Sequence, residues 1–461
     1  MTYLTDDPSD DIAFWSTSEQ AAGIRSGMVG SLELMDHLID RIEKINPELN
    51  AVITSDYERA RAAASSADEV LARGENLGPL HGVPITVKDA LETEGIISTG
   101  GATELATNVP NRDAPVVAAV KAAGAIVMAK TNLPRWSGDI QAYNDLFGTT
   151  VNPWDVERVP GGSSGGAAAA VAAGLTSFEI GTDIGGSIRF PASFNGIYGH
   201  KPSFGIVPST GYLDHVDGGT TEADVNVIGP LARSAADLDL LLGILARSTP
   251  PWVAQLDPPA GDVRQLRVAA WLDDEFCPVD DQVLAVMEAA VGLLEADGVA
   301  VDRGARPDLD PAVASSLGAE LVVQAIMQST KSEGIGHRLW LDKHMEREAL
   351  RARWAEFFTR FDVILMPVAF VPPFPHQQDG NFATRTLMCN GVERPYADVV
   401  RWTFLTGMAY LPSSVPPLGL TAGGLPVGLQ VVGPYGSDRS TIALAGHIGS
   451  LTGGYRRPPL S

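Results

Sequence analysis

The sequence predicts an α/β fold in which a β-sheet lies between layers of α-helices. Segments with the spacing of amphipathic helices alternate with short apolar segments rich in β-branched residues, a pattern typical of sheets covered on both faces. The chain has 461 residues and 45% hydrophobic content, enough to bury a large core. No segment repeats, and only the Pro-rich stretch 249–260 resembles a linker. We therefore expect one continuous α/β unit.

The N-terminal part begins with two predicted helices and a buried strand. Apolar residues recur at helical spacing across 18–49, and the Ala-rich segment 55–73 predicts a second helix. Residues 81–89 are typical of a turn that leads into a buried strand, and this strand ends in Lys88. Lys88 is either a surface residue whose stem packs on apolar neighbours or a desolvated amine whose lowered pKa makes it a usable base.

Two serines embedded in glycines follow along the chain. Ser163 lies in a loop that opens an Ala-rich helix at 167–173, where backbone N–H groups lack partners. Residues 177–183 predict a buried strand, and a turn at 184–187 follows it and ends in Ser187. The glycines of that turn allow several backbone N–H groups to converge on one point. Such a point can bind an oxyanion.

The remaining elements continue the alternation of helices and strands. Further helices are predicted at 113–123, 235–246, 280–296, 310–358 and 440–451. Further strands are predicted at 125–130, 266–271, 362–369, 412–416 and 425–432. Residues 131–160 have no periodic pattern and are rich in Asn, Gly and aromatic residues, so an irregular segment is expected before the first serine loop.

Composition and charge argue against several classes of function. With 33 basic and 56 acidic residues, the net charge is −23, which disfavours nucleic acid and anionic membranes as partners. The first eleven residues are acidic, unlike a secretory or transit peptide, and no apolar run approaches the ~20 residues of a membrane span. Cys277 and Cys389 form no recognisable metal or disulfide motif. These patterns predict a cytoplasmic protein with two reduced cysteines and no metal site.

Other catalytic motifs find little support. The glycine loops lack the Gly-Lys-Ser/Thr ending of a phosphate-binding loop, and neither an HExxH nor an SxxK motif occurs. Residues 161–165 do match the GxSxG nucleophile elbow, which would make Ser163 the nucleophile of an α/β-hydrolase-type esterase. That elbow needs a strand directly before the serine, whereas residues 152–160 contain two prolines and no strand pattern. The esterase interpretation is a minor alternative.

Three motifs together resemble the amidase signature family. They are VPITVKD at 83–89, PGGSSGG at 160–166 and GTDIGGSIRFPA at 181–192. Lys88, Ser163 and Ser187 lie inside them, separated by 75 and then 24 residues. The tripeptide at 152–154 and the segment 424–430 extend the resemblance over most of the chain.

The resemblance implies a fold and a division of the chain. The family fold has a large mixed central β-sheet sandwiched between layers of α-helices. Residues 1–75 would form an N-terminal helical layer and residues 76–248 the signature core. Residues 249–461 would complete the same α/β domain and the substrate pocket. No cofactor is implied.

The resemblance also assigns roles to the residues of the motifs. It makes Ser187 the nucleophile and Lys88 the ultimate base, while Ser163 bridges them after a cis peptide bond from Gly162. A neutral amine can take a proton through a hydroxyl that both donates and accepts hydrogen bonds. The expected oxyanion donors are the backbone N–H groups of Ile184, Gly185, Gly186 and Ser187. An amide hydrolase that forms an acyl-enzyme is the resulting expectation.

Substrate contacts are expected from the irregular segment before the first serine loop. Its candidate binding residues are Trp136, Gln141 and Tyr143. These residue types favour an apolar or aryl amide, and carbamates are a further candidate because some relatives in the family hydrolyse urethanes. Asp183 and Arg189, within the third motif, are expected to form a buried ion pair that holds the Ser187 loop.

Two other roles remain open. The same core could serve as the A-type glutaminase subunit of a tRNA-dependent amidotransferase, although no arginine and acidic pair for a glutamine side chain can be assigned. A degenerate binding protein is disfavoured because all three triad positions are intact. The expected partner is a small-molecule amide or carbamate, not nucleic acid or a membrane, and the expected state is a monomer or homodimer.

Overall fold

Helices and strands alternate along the chain, as the apolar patterns predict. The computed structural model describes residues 11–216, 219–247, 253–259, 261–331 and 333–460. The acidic segment 1–10 and parts of the Pro-rich stretch 249–260 lie outside the described residues. The α-helices are α1 (Thr17–Ser26), α2 (Ser31–Leu49), α3 (Tyr57–Ala72), α4 (Pro115–Ala122), α5 (Gly165–Ala172), α6 (Arg189–Asn195), α7 (Ala235–Leu245), α8 (Asp281–Ala296), α9 (Pro311–Ala325), α10 (Met327–Thr330), α11 (His337–Phe357), α12 (Arg401–Gly407) and α13 (Asp438–Thr452). The strands are β1 (Val52–Ser55), β2 (Pro84–Lys88), β3 (Ile126–Thr131), β4 (Tyr143–Asn144), β5 (Gly148–Thr149), β6 (Phe178–Asp183), β7 (Tyr198–Lys201), β8 (Val227–Ala232), β9 (Val268–Ala270), β10 (Val301–Asp302), β11 (Val363–Pro367), β12 (Thr386–Cys389), β13 (Val392–Pro395), β14 (Ser413–Val415), β15 (Pro417–Leu420) and β16 (Pro426–Val432).

In the described part of the chain, the central sheet is mixed and has nine strands. Its strand order is β10–β9–β11–β16–β14–β7–β8–β6, and β15 pairs with β16. Strand β9 runs parallel to both β10 and β11, whereas the other neighbouring pairs are antiparallel. Strands β6, β11 and β16 are buried along their whole length, as expected where helices cover both faces of a sheet. The predicted large mixed sheet between helical layers is confirmed.

A second sheet, of three strands, carries Lys88. Its order is β1–β3–β2, with β1 antiparallel and β2 parallel to β3. Strand β2 forms one edge of this sheet, and β6 forms one edge of the central sheet. The two edges lie side by side without a shared ladder. Lys88, at the end of β2, therefore lies next to the strand that leads to Ser187.

The single helix predicted across 18–49 is wrong, because two helices occupy this segment. Helix α1 ends at Gly27, which adopts a left-handed conformation with φ of 72°, and α2 begins after Gly30. Glycine reaches this conformation without steric cost and commonly ends helices. The chain therefore turns at a point where the apolar spacing alone suggests continuity.

The single helix predicted across 310–358 is also wrong. Helices α9, α10 and α11 share this range, with a break at Ile326 and a second one that begins at Lys331. Lys331 is left-handed, with φ of 52°, and α11 begins after Gly336. Strands β1, β7 and β8 and the β12–β13 hairpin have no counterpart in the prediction. Strands β1, β7, β12 and β13 have only four residues each, and Gly or Pro in β7, β8 and β13 weakens the strand pattern.

Two large buried hydrophobic clusters stabilise the fold. One joins the small sheet to the N-terminal helices and α7, and the other joins the C-terminal strands to α8, α9 and α13. Among the residues that the structure describes, no helix combines the length and apolar character that a membrane crossing needs. The domain boundaries proposed at 75 and 248 stay predictions.

Candidate active site

Lys88 lies at the buried end of β2, a strand in which all five residues are buried. Its Nζ contacts three hydroxyl oxygens, Ser163 Oγ at 2.7 Å, Thr182 Oγ1 at 2.7 Å and Ser164 Oγ at 3.1 Å. Burial lowers the pKa of Lys88 to about 7, although the negative charges of Asp183 and Glu179 oppose this shift. The amine is therefore desolvated, and the alternative of a surface lysine is wrong.

The first serine loop meets the second through the main chain. The peptide bond between Gly162 and Ser163 is cis, as the family resemblance implies. Ser164 donates its backbone N–H to the carbonyl oxygen of Ser187 at 3.2 Å, and α5 begins directly after Ser164. Ser163 and Ser164 have no exposed surface, whereas Ser187 is 8% exposed. Ser187 is thus the most accessible of the three serines.

The segment before Ser163 does not resemble a nucleophile elbow. Between Thr149 and Ser163 the chain forms turns and isolated bridges, and no strand leads into the serine. The α/β-hydrolase alternative, with Ser163 as nucleophile, therefore lacks the strand that its elbow requires.

One carboxylate organises the turn that carries Ser187. Asp183, at the end of β6, accepts the backbone N–H groups of Gly186 at 2.7 Å and Ile188 at 3.2 Å. Gly186 has a φ of 123°, and a Cβ at this position would collide with the Phe190 ring. A side chain is therefore excluded here, which explains one glycine of the third motif.

Three of the four predicted oxyanion donors have free N–H groups. Within the described chain, the backbone N–H groups of Ile184, Gly185 and Ser187 donate to no other protein group. The N–H of Gly186, in contrast, is bonded to Asp183. Gly186 would have to leave this carboxylate before it could bind an oxyanion. The other three donors are available without any rearrangement.

Arg189 forms the buried ion pair that the third motif predicts. Its Nη2 lies 2.9 Å from Asp183 Oδ1, its Nε lies 3.0 Å from Asp183 Oδ2, and neither side chain is exposed. Its Nη1 donates to Thr403 O, Thr406 Oγ1 and Gln430 Oε1. Burial raises the pKa of Asp183, but the charge of Arg189, the hydrogen bonds from Arg189 and Ile188 and the charge of Lys201 together lower it further, so the net shift is downward. The pair thus connects the Ser187 turn to α12 and β16.

We expect Arg189→Met to lower the free energy of unfolding by roughly 3–5 kcal/mol, because the Asp183 carboxylate would stay buried without its counter-charge. Urea unfolding followed by tryptophan fluorescence measures the change. The matched control is Arg61→Met, which breaks an exposed ion pair with Asp36 and should unfold like the wild type. A loss no larger than that of the control would show that the buried pair contributes little.

Gln141 and Tyr143, two of the predicted substrate-binding residues, belong to a polar cluster beside the first serine loop. The main chain of Gln141 packs against Gly162. Its Nε2 donates to Gln377 O at 2.6 Å, and its Oε1 accepts the Gln377 N–H at 2.9 Å. Arg385 donates to the Tyr143 hydroxyl at 2.7 Å. Their polar atoms are therefore bonded within the protein, and their contact with a substrate stays a prediction.

Trp136, the third predicted substrate-binding residue, lies in a small apolar cluster. The other members of this cluster are Ala102, Leu105 and Leu213. The Trp136 ring packs close to Gly100, and its backbone N–H donates to Gly100 O at 2.8 Å. The residue is buried, and its role in substrate binding also stays a prediction.

Three polar residues near Lys88 have no counterpart in the predicted site. Thr182 and Ser164 contact the amine, and Glu179 accepts the Lys88 backbone N–H. The sequence could have indicated Glu179, because an acidic residue inside an apolar strand pattern is costly to bury without partners. It could not have indicated Thr182, since threonine is common in strands.

Two other titratable residues near the serine loops, His200 and Lys201, are hydrogen-bonded within the protein. His200 lies 2.9 Å from Ser414 Oγ and 3.1 Å from Asp438 Oδ1, and Lys201 donates to two main-chain carbonyl groups. Among the described residues, no group of three His, Cys, Asp or Glu side chains could hold a metal ion.

Comparison with known proteins shows which family shares this arrangement. A family model described as Amidase matches residues 33–335 and 309–442. The indoleacetamide hydrolase of Bradyrhizobium diazoefficiens is 34% identical over 465 residues, which cover 95% of this chain and 87% of that protein. The A-type subunit of the glutamyl-tRNA(Gln) amidotransferase from Carboxydothermus hydrogenoformans is 31% identical over 95% of this chain and 97% of its own length. The crystal structure of a bacterial aryl acylamidase of the amidase signature family has a TM-score of 0.81 and 26% identity, over 95% of this chain and 96% of its own. The chain therefore belongs to the amidase signature family.

Proposed function

We propose that the chain hydrolyses an amide C–N bond through an acyl-enzyme on Ser187 and needs no partner protein. The observation that carries this proposal is the contact between Lys88 Nζ and Ser163 Oγ, 2.7 Å apart in a fully buried site. A lysine with a pKa of about 7 is neutral in a large fraction of molecules near neutral pH and can act as a general base. The Ser163 hydroxyl can pass a proton to it, because a hydroxyl both donates and accepts hydrogen bonds.

The reaction would proceed in two halves. Ser187 Oγ attacks the carbonyl carbon and forms a C–O bond, while its proton passes to Ser163 and the Ser163 proton passes to Lys88. The carbonyl oxygen becomes an oxyanion, which the free N–H groups of the Ser187 turn stabilise. The C–N bond then breaks, and the leaving nitrogen takes the proton back from Lys88. Water cleaves the resulting ester by the same proton route and restores the Ser187 hydroxyl.

Apolar contacts around the Ser187 turn support an apolar or aryl substrate. Phe404 on α12 packs against Gly185, and Ile184 is partly buried against the C-terminal hydrophobic cluster. Two of the similar proteins carry the names indoleacetamide hydrolase and aryl acylamidase. Carbamates form a second proposed class, since their C–N bond joins the same kind of carbonyl carbon.

We propose that the protein acts in the cytoplasm as a monomer or homodimer.

A second candidate function is that of the A-type subunit in a tRNA-dependent amidotransferase. Several relatives named as this component of glutamyl-tRNA(Gln) amidotransferases are 30–31% identical and match nearly their whole length. In that role the chain would release ammonia for a partner protein. Hydrolysis by the purified chain alone would separate the two functions.

We expect the purified chain to release aniline from an aryl anilide, because the proposed base, relay and nucleophile all lie within one chain. A matched N-aryl carbamate measures the second substrate class, and Ser187→Ala serves as the blank. Release that disappears in the variant supports a self-sufficient hydrolase, and the ratio of the two rates ranks amides against carbamates. If neither compound releases aniline, the proposal of a self-sufficient aryl amidase is contradicted and the amidotransferase role is favoured.

A further inference from the structure

A buried acidic residue lies directly against the Lys88 main chain. Glu179, on β6, has no exposed surface. Its Oε2 accepts the backbone N–H groups of Lys88 at 3.0 Å and Ile180 at 2.9 Å, and its Oε1 accepts the hydroxyls of Thr86 at 2.7 Å and Thr131 at 2.8 Å. Burial raises the pKa of Glu179 to about 7, although these hydrogen bonds oppose the shift. At a pH above this pKa, Glu179 is a buried carboxylate, and each of its two oxygens accepts two hydrogen bonds.

These contacts lie at the seam between the two sheets. Thr86 and Lys88 belong to β2, and Glu179 belongs to β6, the neighbouring edge of the central sheet. Because β2 and β6 share no ladder, the carboxylate supplies the acceptor that the Lys88 N–H would otherwise lack. The same strand β6 carries Thr182 and leads to Ser187. Glu179 therefore bonds the Lys88 main chain to the strand that carries Thr182, one of the groups that the amine contacts.

We propose that Glu179 is a positioning residue for Lys88, one that fixes the lysine main chain against β6 and places a negative charge near the amine. Because Glu179 and Lys88 titrate in the same pH range, they titrate together, and the ionised carboxylate raises the pH at which Lys88 becomes a neutral base. The inference rests on the proposed function, in which Lys88 acts as the base.

Among the residues that the structure describes, few charged groups surround Lys88. On β6 they are Asp183 and Glu179, and both raise the pKa of Lys88 while burial lowers it. Strand β3 contributes Lys130, whose Nζ donates to Leu91 O and Thr93 Oγ1, and Asp89 follows Lys88 and bonds to Thr99. Helices α2 and α5 also pack on β2, and their buried residues are uncharged. Neutralising Glu179 thus removes one of the two acidic groups that stabilise the ammonium form.

The test compares Glu179→Gln with the wild-type chain. Glutamine can keep all four contacts, because its amide oxygen accepts the two N–H groups and its NH₂ donates to the two threonine hydroxyls, yet it carries no charge. The labelling rate of Ser187 with phenylmethanesulfonyl fluoride is measured by intact mass from about pH 5 to pH 10, the range in which the lysine titrates. The rate rises with pH as Lys88 loses its proton. The midpoint of this curve is the pH at which the labelling rate reaches half of its maximum. We expect this midpoint to fall by roughly 0.5–1 pH unit in Glu179→Gln, because the ammonium form of Lys88 loses a stabilising anion.

The matched control is Asp237→Asn, which neutralises another fully buried carboxylate, in the first turn of α7, and should leave the midpoint unchanged. An unchanged midpoint in folded Glu179→Gln would overturn the inference. If Glu179→Gln does not fold, Thr131→Val provides the test instead. This variant removes one hydroxyl donor from the Glu179 carboxylate and should move the midpoint of the labelling curve downward by a smaller amount. No movement there would also overturn it. Absence of Ser187 labelling in the wild type at every pH would instead contradict the proposed function, so the two failures are distinguishable.

Discussion

Ser187→Ala is expected to abolish hydrolysis of the anilide and the carbamate, with a loss of about 10⁴-fold or more. Ser187 Oγ forms the bond to the acyl group in the proposed reaction, and alanine supplies no nucleophile. The turn itself should persist, because Asp183 holds it through the backbone N–H groups of Gly186 and Ile188, not through the Ser187 hydroxyl. Steady-state rates measure the loss, and thermal unfolding establishes that the variant is folded.

Covalent labelling identifies which serine is the nucleophile. Phenylmethanesulfonyl fluoride should add one phenylmethanesulfonyl group to the peptide that contains Ser187, with release of fluoride. Ser163→Ala should retain a small residual activity, because the variant loses the proton relay but keeps the nucleophile. A label on Ser163, or a normal rate in Ser187→Ala, would contradict the assignment and favour the esterase alternative.

Lys88→Met is expected to reduce kcat/KM by about 10²–10⁴-fold, the contribution of a general base. Methionine has a similar length and suits the buried end of β2, but it cannot take a proton from Ser163. Wild-type kcat/KM should rise with pH through about 7, because burial lowers the pKa of Lys88 to about 7 and only the neutral amine is a base. The variant should lose this dependence. Rates measured across the pH range test both expectations.

Ser164→Ala is the matched control for Lys88. The Ser164 hydroxyl also contacts the Lys88 amine, at 3.1 Å, but it lies outside the proposed relay. This variant should therefore retain most of its activity and the pH dependence of the wild type. Normal rates in Lys88→Met would rule out the lysine as the base, whatever the behaviour of the control.

Locally determined elements of the fold could be predicted from the sequence. Strands β2, β6 and β16 and helices α3, α8 and α13 follow from apolar spacing, because each buries a face or a whole strand that its own residues define. The break between α1 and α2 could not, since helical spacing continues on both sides of the left-handed Gly27. The β12–β13 hairpin could not either, because its strands are short and largely exposed.

Some residues of the candidate site could likewise be predicted from the sequence, and others could not. Lys88, Ser163 and Ser187 stand out from the sequence, since a lysine that closes an apolar strand and serines flanked by glycines are unusual local patterns. Thr182 does not stand out, and Glu179 stands out only as an acidic residue inside an apolar strand. What makes both residues important is their distance to Lys88. That distance arises only when the edges of the two sheets pack together.

The sequence by itself determined the α/β class, the two serine loops and the lysine that precedes them, because these depend on residue type and spacing. Only the tertiary structure decided that the Lys88 amine lies among three hydroxyls, that Asp183 occupies the Gly186 N–H and that a Glu179 carboxylate joins the two sheets at this point. Hydrogen bonds and desolvation depend on distances between atoms of separate strands, and no local pattern specifies those distances.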